Sequence, residues 1–247
     1  MRFLILADPH ANLHALDAVL EDATRAGYDE VLVLGDLVGY GGDPAAVISR
    51  MYALAPRAMI RGNHDKVCAG LESASNFNDV ARASVELTRR MLAPEDLTRL
   101  ASLPRGPMVV DADVAIAHGA PFDEDYYVFD EDDATRALET SPRPICLVGH
   151  THIPMVFVPG RPYRWMYGPA DDDGGEELAM GTGPALVNVG SVGQPRDGDP
   201  RAAYGILDTT TRRVRLRRVP YDVAGAQQRI REAGLPAWLA TRLARGE

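Results

Sequence analysis

The stretch AMIRGNHDKV, residues 58–67, decides how the rest of the chain is interpreted. An apolar run ends at Gly62, and Asn63, His64 and Asp65 follow without a break. A continuous apolar run is typical of a strand that is covered on both faces of its sheet. Three polar side chains at the end of such a strand belong either to an ordinary loop or to a functional site. The other strand ends of the chain distinguish these two interpretations.

Buried strands alternate with amphipathic helices through the first part of the chain. RFLILAD (2–8) and EVLVLGD (30–36) are continuous apolar runs like the one that precedes Gly62. Asn12 is suited to cap a helix that lies between them, and PAAVISRMYAL (44–54) has the pattern of a second helix. The order β-α-β-α-β predicts a parallel sheet with right-handed crossovers.

The second half of the chain is richer in strands. Residues 76–102 are predicted to be helical, with Pro94 at the start of a new helix, and the chain from Asp222 is predicted to form a helical pair broken by Gly234 and Pro236. These many later strands favour two sheets within a single domain over 1–247, with 222–247 as a C-terminal helical extension. The predicted later strands are PMVV (107–110) and VAIAHG (114–119), which form a hairpin, then PICLVGHTH (144–152), PMVFV (154–158), ALVNVGS (185–191), AAYGILD (202–208) and RVRLRRV (213–219).

Composition restricts the class of protein. The chain has 247 residues, of which 46% are hydrophobic and 25% charged, and a formal net charge of −9. This balance is typical of a globular protein and argues against binding to duplex nucleic acid, which requires basic surface. We expect Cys68 and Cys146, the two cysteines, to be reduced, and we find no signal peptide or membrane span in the sequence. The sequence therefore predicts a soluble cytoplasmic protein that contacts no membrane; its oligomeric state is left open.

Polar residues recur at the ends of five predicted strands. Five of the six histidines of the chain lie at these positions. In open α/β sheets ligands bind at the carboxyl ends of strands, and neighbouring glycines let the backbone turn sharply and approach a ligand. The loop interpretation of residues 63–65 is therefore rejected in favour of a shared site. The five strand ends are Asp8-Pro9-His10, Gly35-Asp36, Gly62-Asn63-His64-Asp65, His118-Gly119 and Gly149-His150-Thr151-His152.

The residue types at these strand ends are those of a metal site. Aspartate and histidine offer oxygen and nitrogen ligands, and the set contains no thiolate, which suits a divalent ion such as Mn, Fe, Co, Ni or Zn. Seven candidate ligands are more than one tetrahedral ion needs but fit two ions that share a carboxylate. Two ions about 3.5–4 Å apart can hold a phosphoryl group for in-line displacement and generate hydroxide near neutral pH.

The ordered series of motifs resembles the calcineurin-like metallophosphoesterase superfamily. The segment NVGSVGQPRDGDPRAAYGILD (188–208) is similar to the smaller prokaryotic phosphodiesterase branch of that superfamily. The resemblance runs from residue 1 to about 219 and includes every motif in the right order. It implies a four-layer α/β/β/α sandwich of two mixed sheets flanked by helices, with two metal ions at the carboxyl ends of the strands.

The resemblance also implies a role for each matching residue. Asp8, His10 and His152 would hold one metal, and Asn63, His118 and His150 would hold the other, with Asp36 bridging the two ions. His64 would contact the phosphate and protonate or stabilise the leaving oxygen, and Asp65 would orient His64. Manganese is our first choice for both ions, with Fe, Co, Ni or Zn as alternatives. Pro9 and Ala11 depart from the commonest pattern; Pro9 has no backbone N–H, so no phosphate contact is expected from that position, whereas metal ligation by Asp8 and His10 is unaffected.

Substrate contacts are less well defined by the sequence. Tyr40 is expected to line the pocket or to lie in an ordinary turn, and Arg196 to hold a phosphate oxygen or to pair with Asp197 or Asp199. Tyr126, Tyr127 or Phe129 would stack on a base, or the acidic run at 130–133 that follows them would only favour the start of a helix. The Gly/Pro-rich segment 159–184 would cover the site or simply connect two strands.

These observations predict a dinuclear metal-dependent phosphoesterase. In the reaction that the resemblance implies, a metal-bridging hydroxide attacks phosphorus and His64 assists the leaving group. The preferred substrate is a small phosphodiester, with a phosphomonoester or a dinucleoside polyphosphate as the alternative. A non-catalytic metal-binding scaffold is the contrasting hypothesis; we rank it lower because all seven ligand positions and His64 hold competent residues.

Overall fold

The protein consists of two β-sheets that pack face to face, with helices on both outer faces. The computed structural model describes residues 1–162, 164–165 and 175–247. Within these residues each sheet has six strands. One apolar cluster lies between the sheets, and two others lie between each sheet and its helices. The predicted α/β/β/α sandwich of two mixed sheets is therefore confirmed.

The first sheet contains the N-terminal β-α-β-α-β unit. Its first three strands are parallel, as predicted, and the remaining three join on the other side of the first strand in antiparallel pairings. In spatial order the strands are β3 (Ala58–Met59), β2 (Glu30–Val33), β1 (Arg2–Leu6), β11 (Ala202–Asp208), β12 (Arg213–Val219) and β9 (Gly175–Ala179).

The second sheet is also mixed and begins with the predicted hairpin. Its first two strands are antiparallel, its central three are parallel, and its last two pairings are antiparallel. In spatial order the strands are β4 (Met108–Val109), β5 (Val114–Ile116), β6 (Ile145–Val148), β10 (Ala185–Asn188), β7 (Met155–Phe157) and β8 (Arg164–Trp165).

The helices begin at the capping residues that the sequence offers. The Asn12 side chain accepts a hydrogen bond from the Ala15 N–H, the Asp130 side chain accepts one from the Asp133 N–H, and Pro94 occupies the first position of its helix. The helices in the described part of the chain are α1 (Leu13–Ala26), α2 (Pro44–Ala53), α3 (Asn63–Cys68), α4 (Asp79–Met91), α5 (Pro94–Ala101), α6 (Glu131–Thr140), α7 (Val223–Glu232) and α8 (Ala237–Leu243), with a 3-10 turn at Ala74–Asn76.

Strand β1 shows why its apolar run is continuous. Phe3 and Ile5 point into the layer between the sheets, whereas Leu4 and Leu6 pack against the helices on the other face. All four side chains are fully buried. Side chains alternate between the faces of a strand, so a strand covered on both faces needs apolar residues at every position.

Two segments differ from the sequence-based interpretation. The sequence predicted no helix directly after the third strand, but Asn63 begins the short helix α3. The segment 159–184, predicted as one connection, contributes β9, which pairs with β12. Residues 163 and 166–174 of that segment lie outside the described residues, so the prediction that it covers the site concerns a part that is not described.

None of the helices in the described part of the chain combines the length and the apolar character needed to cross a bilayer.

Candidate metal centre

The polar residues of the five predicted strand ends meet at one edge of the two sheets. Their side chains fall into two groups of candidate ligands, and the ligand atoms of each group lie within 4.8 Å of one another. The first group is Asp8, His10, Asp36 and His152, and the second is Asp36, His118 and His150. All of these side chains are buried.

In the first group, two imidazole nitrogens face each other. The Nδ1 atoms of His10 and His152 donate to the backbone carbonyls of Val38 (2.9 Å) and Gln194 (2.7 Å). In a neutral imidazole this leaves each Nε2 atom as an acceptor. The two Nε2 atoms lie 3.1 Å apart. Lone pairs directed at one another at this distance repel, and a shared cation turns both into favourable contacts.

In the second group, lone pairs also face one another. His118 donates from Nδ1 to the Leu34 carbonyl (2.8 Å), so its Nε2 atom faces the Asn63 Oδ1 atom (3.2 Å) and the Asp36 Oδ2 atom (3.5 Å). All three atoms are acceptors when the ring is neutral. Asn63 thus joins this group as an oxygen donor, although it carries no charge.

His150 completes the second group. Its Nε2 atom donates to the Asp125 carbonyl (3.1 Å), which leaves Nδ1 as the nitrogen with a lone pair. The backbone N–H of His150 donates to the Asp8 carboxylate (3.1 Å), so the same residue links the two groups. Burial lowers the pKa of His150 well below its usual value, which keeps the ring neutral.

Asp36 belongs to both groups. Its Oδ2 atom lies 3.5 Å from the Nε2 atoms of both His10 and His118, and its Oδ1 atom accepts a hydrogen bond from the His64 N–H (2.8 Å). Burial alone would raise the pKa of Asp36, but the His118 and His64 rings lower it well below its usual range. Asp36 is therefore the carboxylate placed to be shared.

In the metal-free protein, protons balance part of this charge. Burial disfavours a charged His118 ring, but the Asp36 carboxylate outweighs burial and raises the pKa of His118 to about 10. Burial also raises the pKa of Asp8 to about 7, although His118 opposes the rise. A divalent cation competes with protons for ligands of this kind. The donor set therefore fits divalent cations, in agreement with the residue types predicted from the sequence.

The backbone around these ligands is strained. Asp8, His10, Asp36, His150 and His152 all have φ between 43° and 68°. L-residues rarely adopt this left-handed region, and each costs about 1–2 kcal/mol there. Strain of this kind persists only where the surrounding structure imposes it. The packing of the fold, and not the conformational preference of these residues, therefore maintains the positive φ values.

His64 lies beside the ligands but makes different contacts. Its ring packs between the rings of Tyr40 (centroids 4.4 Å apart) and Phe77 (4.8 Å), and its Nδ1 atom is buried without a hydrogen-bond partner. Gly39 has a φ of 88°, and a Cβ atom there would lie 2.3 Å from His64 Nδ1. Burial lowers the pKa of His64 to about 4. The ring is thus clamped by packing at the border of the candidate site.

Asp65 does not orient His64 as the resemblance implied. Its two carboxylate oxygens accept hydrogen bonds from the backbone N–H groups of Gly62 (3.0 Å) and Val38 (3.2 Å). Since the Nδ1 atom of His64 has no partner, that expectation was wrong. Asp65 instead fixes the turn that begins α3.

The two residues predicted to contact substrate, Tyr40 and Arg196, differ in their contacts with the candidate ligands. Tyr40 is buried against the rings of His10 and His64, so it lines the site. Arg196 donates to the Gln194 side chain (2.9 Å), and its guanidinium lies 5.7 Å from the Tyr40 ring centroid. The alternative pairing of Arg196 is not found, because Asp197 pairs with Arg218 and Asp199 with Arg201.

The three aromatic residues that the sequence offered for base stacking make different contacts. Tyr127 stacks on the His150 ring with centroids 3.8 Å apart, and Phe129 stacks on Tyr127 (5.4 Å). Tyr126 donates its hydroxyl hydrogen to Asp133 (2.7 Å), away from the site. The acidic run lies at the start of α6, with Asp130 as its cap, as predicted by the alternative in which this run only favours the start of a helix.

Sequence reasoning missed several contributors. Phe77, which contacts His64, comes from a polar stretch, SASNFND (73–79), in which an isolated aromatic residue was the one available signal. Lys66 follows the polar triplet and binds the carboxylates of Glu72 (2.8 Å) and Asp125 (2.6 Å). The backbone carbonyls that orient the histidine rings carry no sequence signal.

The chain is similar to known phosphoesterases in sequence and in structure. Residues 1–212 match the family model described as the calcineurin-like phosphoesterase superfamily domain. A metallophosphoesterase from Sphaerobacter thermophilus, known from its crystal structure, is 40% identical, with a TM-score of 0.87 over 100% of this chain and 99% of that one.

Two further relatives extend the comparison to archaea. An uncharacterised protein of Methanocaldococcus jannaschii is 32% identical over 97% of this chain and 96% of its own length. A hypothetical protein from Pyrococcus horikoshii OT3, at 22% identity, has the same fold, with a TM-score of 0.76 over 100% of this chain and 98% of that one.

The match of the family model to most of the chain agrees with a buried Asp/His cluster that can hold metal at the strand ends. We conclude that this chain belongs to the calcineurin-like phosphoesterase superfamily, a family of enzymes that hydrolyse phosphate esters.

Proposed function

We propose that the protein is a dinuclear metal-dependent phosphoesterase and that its substrate is a small phosphodiester. The observation that carries the proposal is the position of Asp36. One carboxylate oxygen lies 3.5 Å from an imidazole nitrogen of each ligand group, so a single side chain can serve two cations. A site for one ion would not need a second set of acceptors.

In this proposal each ligand group holds one divalent ion. Asp8, His10 and His152 would bind the first and Asn63, His118 and His150 the second, with Asp36 shared between them. When bound, such ions supply Lewis acidity toward phosphate oxygens and lower the pKa of water to near neutrality. Manganese is the preferred ion because the ligand set contains hard oxygens and imidazoles without thiolates.

His64 is the residue assigned to the leaving group. The hydrogen bond from its backbone N–H to Asp36 fixes it next to the shared ligand, and the rings of Tyr40 and Phe77 restrict its orientation. Its side chain lines a cleft that opens beside the second ligand group. A positioned imidazole there can donate a hydrogen bond to the departing oxygen and thereby stabilise the charge that develops on it.

Arg196 is assigned to a non-bridging phosphate oxygen. It lies against Tyr40 at the edge of the site and is half-buried, with Gln194 fixing its position. Its guanidinium adds one positive charge, which matches the single negative charge of a phosphodiester. A phosphomonoester, with up to two negative charges, is the less favoured substrate.

The test combines metal analysis with ester hydrolysis. The purified protein is dialysed against Mn²⁺, its metal content is measured by elemental analysis, and turnover of bis(p-nitrophenyl) phosphate is compared with that of p-nitrophenyl phosphate. We expect two ions per chain and faster hydrolysis of the diester. Stoichiometric metal without hydrolysis of either ester would support the scaffold hypothesis, and faster hydrolysis of the monoester would reverse the substrate preference.

A further inference from the structure

The cleft beside His64 extends well beyond the metal ligands. It has a volume of about 210 Å³, and α3, the 3-10 turn at Ala74–Asn76 and the chain near Tyr127 form its walls. Asn63, His64 and His150 line its inner end. A substrate whose phosphorus lies at the metal centre can therefore place one of its two ester groups in this cleft.

Phe77 and Tyr127 are among the aromatic residues that line the cleft. Phe77 packs against the His64 ring with centroids 4.8 Å apart, and Tyr127 stacks on the His150 ring at 3.8 Å. Tyr127 is 40% exposed, and because His150 and Phe129 both stack on its ring, the edge of the ring is the part available for a further contact. Asn76 and Asn78 add polar side chains to the same wall. Aromatic rings that offer faces or edges next to amide groups suit a flat ring that carries hydrogen-bonding groups at its edge.

The charges on the cleft wall are unfavourable for an anion. Lys66 is its single lysine, and the Lys66 ammonium is bound by the carboxylates of Glu72 (2.8 Å), Asp125 (2.6 Å) and Glu124 (3.3 Å). Glu72 and Asp125 line the cleft and are each 43% exposed. Acidic side chains thus outnumber the basic one, and the wall repels a second phosphate group.

The position of His64 identifies which ester group enters. Because His64 is assigned to the departing oxygen, the group on its side of phosphorus is the leaving group. We propose that this cleft binds the leaving group of the phosphodiester and selects an uncharged leaving group with a flat ring, such as a nucleoside, over an anionic or a small aliphatic one. The inference rests on the proposed function and adds the class of substrate.

Three diesters that share one half test the selection. All contain ethyl phosphate, esterified to the 5′-hydroxyl of thymidine, to the 5′-hydroxyl of thymidine 3′-phosphate, or to methanol. In each case water adds to phosphorus as the bond to the leaving oxygen breaks, and that oxygen takes up a proton. With the Mn²⁺-loaded protein and chromatographic identification of products, we expect kcat/KM for the uncharged thymidine ester to exceed that for the methyl ester by about tenfold, the effect of stacking one base. The ester of thymidine 3′-phosphate should also react more slowly than the uncharged thymidine ester, because the acidic cleft wall repels its second phosphate.

Substitutions show whether the aromatic wall causes the preference. Phe77→Leu and Tyr127→Leu should each reduce the ratio of kcat/KM between the thymidine and methyl esters toward one. A purely structural disturbance of His64 or His150 would lower both rates and leave the ratio unchanged. Tyr126→Leu is the matched control, since Tyr126 is the neighbouring aromatic residue and packs on Phe122 away from the cleft; it should preserve the ratio.

The outcomes separate this inference from the proposed function. Hydrolysis of all three esters at similar rates, or a ratio that survives both substitutions, would overturn the leaving-group cleft and leave the phosphodiesterase intact. Absence of hydrolysis for these esters and for bis(p-nitrophenyl) phosphate would overturn both.

Discussion

Charged side chains crowd together in two parts of this protein, in opposite ways. On the outer surface, Arg213 and Arg215 of β12 flank Glu177 of β9; we call these three residues the arginine ladder. Every charge there faces an opposite charge and is 36–48% exposed. At the metal centre the groups are buried, and acceptors face acceptors. The ladder needs no additional ion, whereas the candidate metal centre offers a donor set that can hold a divalent cation.

The backbones of the two regions differ in the same sense. The ladder lies in regular antiparallel strands. Nine non-glycine residues of the described chain have positive φ, and seven of these surround the candidate site. At the candidate metal centre, backbone strain therefore occurs together with acceptors that face acceptors. In the arginine ladder, opposite charges pair on regular strands. The seven are Asp8, His10, Ala11, Asp36, Tyr40, His150 and His152.

The largest effect is expected from changing the shared ligand. Asp36→Asn removes the charge that both ligand groups use, so metal content should fall from two ions per chain and turnover should drop to background. Elemental analysis and ester hydrolysis measure both. Glu177→Gln, which removes a carboxylate from the arginine ladder, should change neither. Near-normal metal content and rate in Asp36→Asn would contradict the shared role.

Removing His64 should separate catalysis from metal binding. We expect His64→Ala to retain both ions and to lose turnover by about 10²–10⁴, the usual effect of losing a positioned group that hydrogen-bonds the departing oxygen. Metal content and kcat are measured on the same preparation. If the variant loses an ion, His64 is a ligand and its assignment to the leaving group is wrong.

A substitution at Gly39 displaces His64 without changing it. Since the new Cβ atom would lie 2.3 Å from the Nδ1 atom, Gly39→Ala should shift the ring and reduce kcat by about 10²-fold while both ions stay bound. Gly160→Ala is the matched control, because Gly160 also has positive φ but no atom near its Cβ position. An equal loss of activity in the two variants would show that backbone strain, and not the contact with His64, is responsible.

The smallest effects are expected on stability. Lys66 is almost fully buried among three carboxylates, so Lys66→Met should lower the free energy of unfolding of the metal-free protein by about 1–3 kcal/mol. Arg213→Met breaks an exposed pair and should cost about 0.5 kcal/mol or less. Urea denaturation measures both, and equal values would remove the energetic distinction between buried and exposed charges.

Sequence patterns predicted the features that local chemistry controls. The apolar run of β1, the Asn12 cap and Pro94 at a helix start each depend on residues close together in the chain, and each is found as predicted. The candidate histidine ligands could be identified from the sequence because each follows an apolar strand run, at the point where the chain turns. Their assembly at one edge follows from parallel strands.

Other features depend on distant parts of the chain and were missed. Strand β9 gains its partner from β12, some 35 residues later, and α3 is too short to show a helical pattern. Phe77 lies just before α4, and its contact with His64 at the start of α3 is set by how the chain between them folds. The carbonyls that bind the imidazole rings belong to Val38, Leu34 and Gln194, which are ordinary residues in the sequence.

A crystal structure of the protein grown with Mn²⁺, with anomalous diffraction recorded at the manganese edge, tests the central claim most directly. We predict two peaks, one bound by Asp8, His10 and His152 and the other by Asn63, His118 and His150, with Asp36 between them. A single peak, no peak, or peaks that these side chains do not contact would contradict the account.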